Sequence, residues 1–168
     1  KGLLATAVED PNPVLFFEHK ALYRSIRQEV PTNYYTLPIG KAALLQEGDE
    51  ATVVTYGAGV HWALATLDKM SVGVDLIDLR TLAPLDTATI YSSVRKTGKL
   101  IILQEDSLFG GIASDIAALV GEHCFESLDA PIRRVASMET PIPFAANLEK
   151  QYLPNSRFKE ELERLLAY

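Results

Sequence analysis

At 168 residues, nearly half of them apolar, the chain suffices for one domain with a real core and leaves a short piece over. Its 22 Asp and Glu against 16 Lys and Arg argue against a nucleic-acid partner and favour a basic protein. A single cysteine, Cys124, rules out a disulfide framework and fits a reducing compartment, while no apolar run nears the ~20 residues that span a bilayer and no signal-peptide pattern opens the chain.

In chain order, Leu3, Leu4, Ala7 and Val8 have helical spacing with no capping residue before them, so the opening reads as the second half of a helix that begins upstream. Asp10-Pro11-Asn12-Pro13 is a stiff turn, and residues 14–17 (VLFF) read as a strand whose sheet lies mostly outside this chain. Stripped of that sheet, it predicts self-association or a loosely held N-terminus. Residues 30–38, polar and with two prolines, read as linker, and 42–45 as a short edge strand. Residues 52–56 (TVVTY) form a β-branched strand. Gly57 and Gly59 turn the chain into a helix that faces Val60, Leu64 and Leu67 inward. Residues 74–79 are the next strand. Asp86 or Thr87 caps a helix carrying Ile90 and Val94, which Arg95, Lys96 and Gly98 close. Residues 100–103 (LIIL) read as a strand buried on both faces. Glu105-Asp106 and Gly110-Gly111 follow, then a helix with Ile112, Ile116, Leu119 and Val120 on one face. Residues 132–135 are the last strand, and Phe158, Leu162, Leu165 and Leu166 mark a final amphipathic helix after Tyr152-Leu153-Pro154. Strand, glycine turn and helix in alternation predict an α/β three-layer sandwich, with a mainly parallel sheet and one antiparallel edge strand.

The chemical signals are few. Gly57-Ala58-Gly59 after a strand, with Asp78 about twenty residues on, has the outline of a dinucleotide fingerprint, but Trp62 stands where the third glycine belongs. Plain turn glycines explain the pattern better. His123 and Cys124 are helix neighbours and diverge by about 100°, so a buried structural cysteine is the better reading than a nucleophile and its base. His19, His61 and His123 lack zinc spacing. Gly110-Gly111 could offer free N–H groups to an anion, which the adjacent Glu105 and Asp106 disfavour. The residues alone assemble no active site.

The phrases FFEHKALYR (16–24), DLRTLAPLD (78–86), EDSLFGGIASDIAALV (105–120) and TPIPFAANLEKQYLP (140–154) resemble the beta subunit of the thiamin-diphosphate-dependent first component of 2-oxo-acid dehydrogenase complexes. NPVLFFEHKALYR, RTLAPLD and the ending LLAY resemble the branched-chain (2-oxoisovalerate) member more than the pyruvate one. The resemblance implies that residues 1–20 are a remnant of a pyrimidine-binding domain, 21–38 a linker, and 39–168 a transketolase-like C-terminal domain. It implies oxidative decarboxylation with acyl transfer to lipoamide, carried out by thiamin diphosphate and Mg, whose contacts lie elsewhere in the complete enzyme. No catalytic or cofactor-binding residue is therefore expected here. A structural K+ held largely by main-chain oxygens would map onto Ala7, Asp10 and Asn12, since a helix C-terminus presents free carbonyls. The implied partners are an alpha subunit or alpha-like region, a second beta subunit and the subunit-binding domain of the lipoyl acyltransferase. The implied location is the bacterial cytoplasm or the mitochondrial matrix. The equivalent domain of a pyruvate, acetoin or transketolase-type enzyme, and a stand-alone interaction module, stay open as alternatives.

Between residues 104 and 130 there are six acidic side chains and no Lys or Arg. Asp115, Glu122 and Glu126, spaced by seven and four, would form one strip along the helix. With the carboxylate at Tyr168, they are the expected docking groups for the small basic subunit-binding domain.

Overall fold

A computed structural model describes residues 1–168. Five strands, β1 (Ala43–Gln46), β2 (Ala51–Thr55), β3 (Val74–Asp78), β4 (Leu100–Ser107) and β5 (Arg133–Ser137), form one sheet in the order β1-β3-β2-β4-β5. Only the β1–β3 pair is antiparallel; β2, β3, β4 and β5 run parallel, with Val53 opposite both Leu76 and Ile101. The expected architecture is therefore present. The central strands are covered on both faces, which is why TVV and LIIL are unbroken apolar or β-branched runs.

Seven helices accompany the sheet: α1 (Gly2–Glu9), α2 (Leu22–Ser25), α3 (Ala58–Leu67), α4 (Thr87–Thr97), α5 (Ile112–His123), α6 (Ala146–Tyr152) and α7 (Asn155–Leu166). On one face, Ala63 and Leu67 of α3 and Phe158, Leu162 and Leu165 of α7 pack on Val53, Leu76, Ile101 and Leu103. On the other, Ile90 and Val94 of α4 and Ala113, Ile116 and Val120 of α5 pack on Val54, Ile77, Leu100 and Ile102. Each large aliphatic side chain so buried contributes about 1.5–3 kcal/mol. Asp86 caps α4 by accepting from Thr89 N at 3.3 Å, and Gly98 ends it at φ 68°, a left-handed conformation that glycine adopts without strain.

Beneath α4 lies a polar network. Asp75, almost wholly buried, accepts from Lys96 Nζ at 2.6 Å, Ser93 Oγ at 2.6 Å and Gly48 N at 3.0 Å. Thr52 Oγ1 joins it, 2.7 Å from both Ser93 Oγ and Thr97 Oγ1. Burial pushes the Asp75 carboxyl up, but the Lys96, Ser93 and Gly48 donors outweigh it and hold the group below the ordinary carboxylate range.

Three expectations are corrected. Residues 14–17 form no strand: they are exposed and irregular, because no neighbouring strand in the chain meets their backbone. Helix α5 ends at His123, and Glu126 lies beyond it in the 3-10 turn Phe125–Ser127, so Asp115, Glu122 and Glu126 do not share one helical strip. The approach to α7 also holds a further short helix, α6, where only a lead-in was expected. The N-terminal segment folds on itself instead. Lys1 Nζ donates to the Pro31, Thr32 and Asn33 carbonyls at 2.5–3.1 Å, and Leu37 N donates to Gly2 O at 3.3 Å.

Candidate functional site

In a parallel sheet, ligands gather beyond the carboxyl ends of the strands where the chain reverses its direction of travel across the sheet. Here that place lies between β2 and β4, since β3 adds to one side of β2 and β4 to the other. Tyr56 follows β2, and Glu105 and Asp106 sit at the end of β4. Together with Ile142, Glu149, Tyr152 and Leu153 they line a cavity of about 350 Å³. Burial pushes the Tyr56 phenol up to about 12, with the Asp106 and Glu105 charges adding to the effect. Tyr56 is thus an O–H donor at neutral pH, facing carboxylate acceptors. His19 comes across from the N-terminal segment, its Nε2 3.0 Å from Glu105 Oε2 and 3.2 Å from Oε1. The arrangement can hold a hydrogen-bond donor or a cation; it contains no paired nucleophile and base.

Gln104, fully buried, builds this corner from below. Its Oε1 accepts from Ala113 N at 2.8 Å and its Nε2 donates to Ser107 O at 2.5 Å, which fixes the 105–111 loop against the start of α5. That bond occupies a first-turn N–H of α5, so the helix end after Gly110-Gly111 is committed internally. A side chain at Gly111 would collide with the Gln104 amide. The dinucleotide outline fails in a similar way. Asp78 Oδ1 accepts from Arg80 N at 3.1 Å and Oδ2 lies 3.9 Å from Arg80 Nε, while Trp62 packs against the core. Burial raises the Asp78 carboxyl despite these partners. Cys124 is buried among the α4–α5 side chains. His123 is exposed and tilts over Tyr91 with ring centroids 5.2 Å apart.

The other expected positions lie away from this cavity. Ala7 and Asp10 stand at the end of α1 and Asn12 just beyond it. Asp10 Oδ1 accepts from Asn12 N at 2.9 Å and Asn12 Nδ2 at 3.0 Å, and the Asn12 backbone N–H, then its side chain, lower the Asp10 carboxyl. Pro11 has no N–H to offer the Ala7 carbonyl, so that oxygen is left without its helical donor. Asp115 and Glu122 are exposed on α5, Glu126 is exposed in its turn, and the Tyr168 ring stacks 5.9 Å from the Arg133 guanidinium. Sequence reasoning missed Tyr56, Tyr152, Glu149 and the His19–Glu105 pair. Position at a strand's carboxyl end was a signal for Tyr56 and Glu105 alone; Glu149 and Tyr152, on α6, and His19, in the N-terminal segment, reach the cavity only through the tertiary fold.

A three-layer α/β domain with an antiparallel edge strand and its cleft at the β2–β4 reversal defines the class. The sequence model of the family described as transketolase, C-terminal domain, matches residues 40–157, and the chain belongs to that family. It is 47% identical to the 2-oxoisovalerate dehydrogenase subunit beta of Bacillus subtilis (strain 168), over 99% of this chain and 52% of that protein. It is 44% identical to the pyruvate dehydrogenase E1 component subunit beta of the same organism, over 94% and 49%. Identity is 39% to the mitochondrial 2-oxoisovalerate dehydrogenase subunit beta of Dictyostelium discoideum, over 100% and 46%. The chain thus spans about half the length of the curated relatives it matches. A split-gene transketolase, solved as an inactive beta4 tetramer, shares the fold at a TM-score of 0.67 over 83% of this chain and 46% of that one, with 24% identity.

Proposed function

We propose that the chain is the C-terminal part of the beta portion of a thiamin-diphosphate-dependent 2-oxo-acid dehydrogenase of the branched-chain kind, serving assembly and docking rather than chemistry. The observation that carries this reading is 47% identity to a 2-oxoisovalerate dehydrogenase beta subunit over almost the whole chain. In this reading residues 1–20 belong to a preceding pyrimidine-binding domain, 21–38 are linker, and 39–168 are the transketolase-like domain. Thiamin diphosphate and Mg do not fit the residues present. The cleft at the strand ends is rimmed by Glu105, Asp106 and Glu149, which repel a diphosphate, and the first turn of α5 is closed by Gln104. Decarboxylation and acyl transfer to lipoamide belong to the complete enzyme with its alpha part and a second beta copy.

The carbonyl of Ala7, left without a helical donor, together with Asp10 and Asn12 suits a hard monovalent cation such as K+, which takes oxygen ligands. The basic subunit-binding domain of the lipoyl acyltransferase docks on the acidic groups Glu122 and Glu126, with Asp115 further along α5, or on the C-terminal surface at Tyr168. Complementary charge there speeds encounter more than it adds affinity. The test is surface-plasmon kinetics against that basic domain. Glu122→Lys with Glu126→Lys slows association and flattens its salt dependence, or deletion of Tyr168 does so. Unchanged rates at low salt for both variants overturn the docking assignment.

A further inference from the structure

A second cavity, of about 420 Å³, opens between α4 and the β1–β3 edge of the sheet and shares no residue with the strand-end cleft. Two buried carboxylates, Asp75 and Asp86, form part of its wall, and both are met from within the protein. Asp75 accepts from Lys96 Nζ, Ser93 Oγ and Gly48 N. Asp86 accepts from Ala42 N at 3.1 Å, Thr89 N at 3.3 Å and Thr89 Oγ1 at 2.9 Å. What the cavity leaves unmet is donor capacity. Lys41, just before β1, is exposed and forms no ion pair, although its charge is felt at Asp86. Lys96 gives one N–H to Asp75 and, with its side chain 46% exposed, keeps the others for a second acceptor. The exposed Ser92 hydroxyl adds a third donor group. Beside them Leu44, Ala88 and Ile77 make an apolar wall. A concave site with apolar walls and a few convergent polar groups suits a small organic ligand, and here the polar groups ask for an anion.

We propose that this groove binds a small aliphatic carboxylate, whose oxygens accept from Lys41, Lys96 and Ser92 while its hydrocarbon part lies against Leu44, Ala88 and Ile77. Hydrogen bonds between charged partners supply the orientation and most of the affinity, and the apolar wall separates such a ligand from a bare inorganic anion. The two carboxylates do not reverse the preference, because their protein donors already compensate them. The inference stands on this groove alone and does not depend on the enzyme assignment above.

Methyl-detected NMR on the 168-residue chain, titrated with sodium butyrate, tests it. Sodium phosphate and butylammonium chloride are the comparators at matched ionic strength. Butyrate at millimolar concentration gives saturable shifts of the Leu44 and Ile77 methyls, phosphate binds more weakly, and butylammonium leaves these methyls unmoved. Lys41→Met weakens butyrate binding about tenfold, the worth of one hydrogen bond to a charged group, and Lys41→Arg recovers most of the loss. Ala88→Tyr fills the groove from the exposed face of α4 and abolishes the shifts, with circular dichroism confirming that each variant is folded. No saturable shift with butyrate, shifts centred elsewhere, or binding unchanged in Lys41→Met or in Ala88→Tyr would each overturn the proposal. So would phosphate or butylammonium binding as tightly as butyrate.

Discussion

Lys96→Met removes the charged partner of Asp75 while leaving the aliphatic stem in place. The Asp75 carboxylate is almost wholly buried and accepts from three donors, of which Lys96 Nζ at 2.6 Å is the only charged one. A hydrogen bond to a charged group is worth about 1.5–3 kcal/mol, and the ammonium is about half exposed, so solvent screens its longer-range attraction. The expected loss is about 2 kcal/mol at neutral pH, or a fall in Tm of roughly 4–8 °C for a chain of this size. The pH dependence gives the sharper check. In the parent, Asp75 is held low, so its stabilisation is present above the unfolded-state value and is lost as pH falls through the lowered folded value. In the variant, burial outweighs the two remaining donors and the folded value rises. Protonation of the variant then relieves the unpaired charge, so its deficit narrows as the solution is acidified. Urea unfolding at about pH 7 and about pH 4 measures both stabilities. A neutral-pH loss below about 0.5 kcal/mol, or a gap that widens in acid, refutes the reasoning.

Asp86→Ala removes the α4 cap and also orphans Ala42 N, which donates to Asp86 Oδ2 at 3.1 Å. The expected cost is about 2–3 kcal/mol by denaturant unfolding, with Asp86→Asn costing less. Burial raises the Asp86 carboxyl, but the Ala42 and Thr89 donors outweigh it and hold it low. Its contribution should therefore fade as pH falls through that lowered value. Phe158→Ala empties a fully buried site between α7 and the sheet and should cost about 3–5 kcal/mol, measured the same way.

The sheet and its helices were legible because their signals are local. LIIL reads as a strand buried on both faces, Asp86 and Gly98 read as the two ends of α4, and Phe158, Leu162, Leu165 and Leu166 recur at helical spacing. The failures are places where a partner decides. Residues 14–17 have strand chemistry, yet a strand exists only beside another, and none is supplied. Glu126 has helical spacing from Glu122, but α5 ends at His123 and turns at Phe125, so spacing overstated the strip. The site was harder still. Tyr56, Glu105 and Glu149 meet only because β2, β4 and α6 converge at one end of the sheet. Asp75 finds Lys96 across 21 positions of sequence. Gln104 looks like a strand residue until its amide is seen to close the start of α5. The family phrases carried information that periodicity did not, and three of the four, at 78–86, 105–120 and 140–154, fall within the matched residues 40–157.

The central claim is that these 168 residues contribute fold and docking surface to a thiamin enzyme without its cofactor machinery. Isothermal calorimetry with thiamin diphosphate and Mg on the chain tests it most directly. The account predicts no binding heat at micromolar cofactor, since the strand-end cleft presents Glu105, Asp106 and Glu149 to any diphosphate. Micromolar, saturable binding that disappears in the Glu105→Ala or Tyr56→Phe variant would contradict it and place the cofactor in this domain.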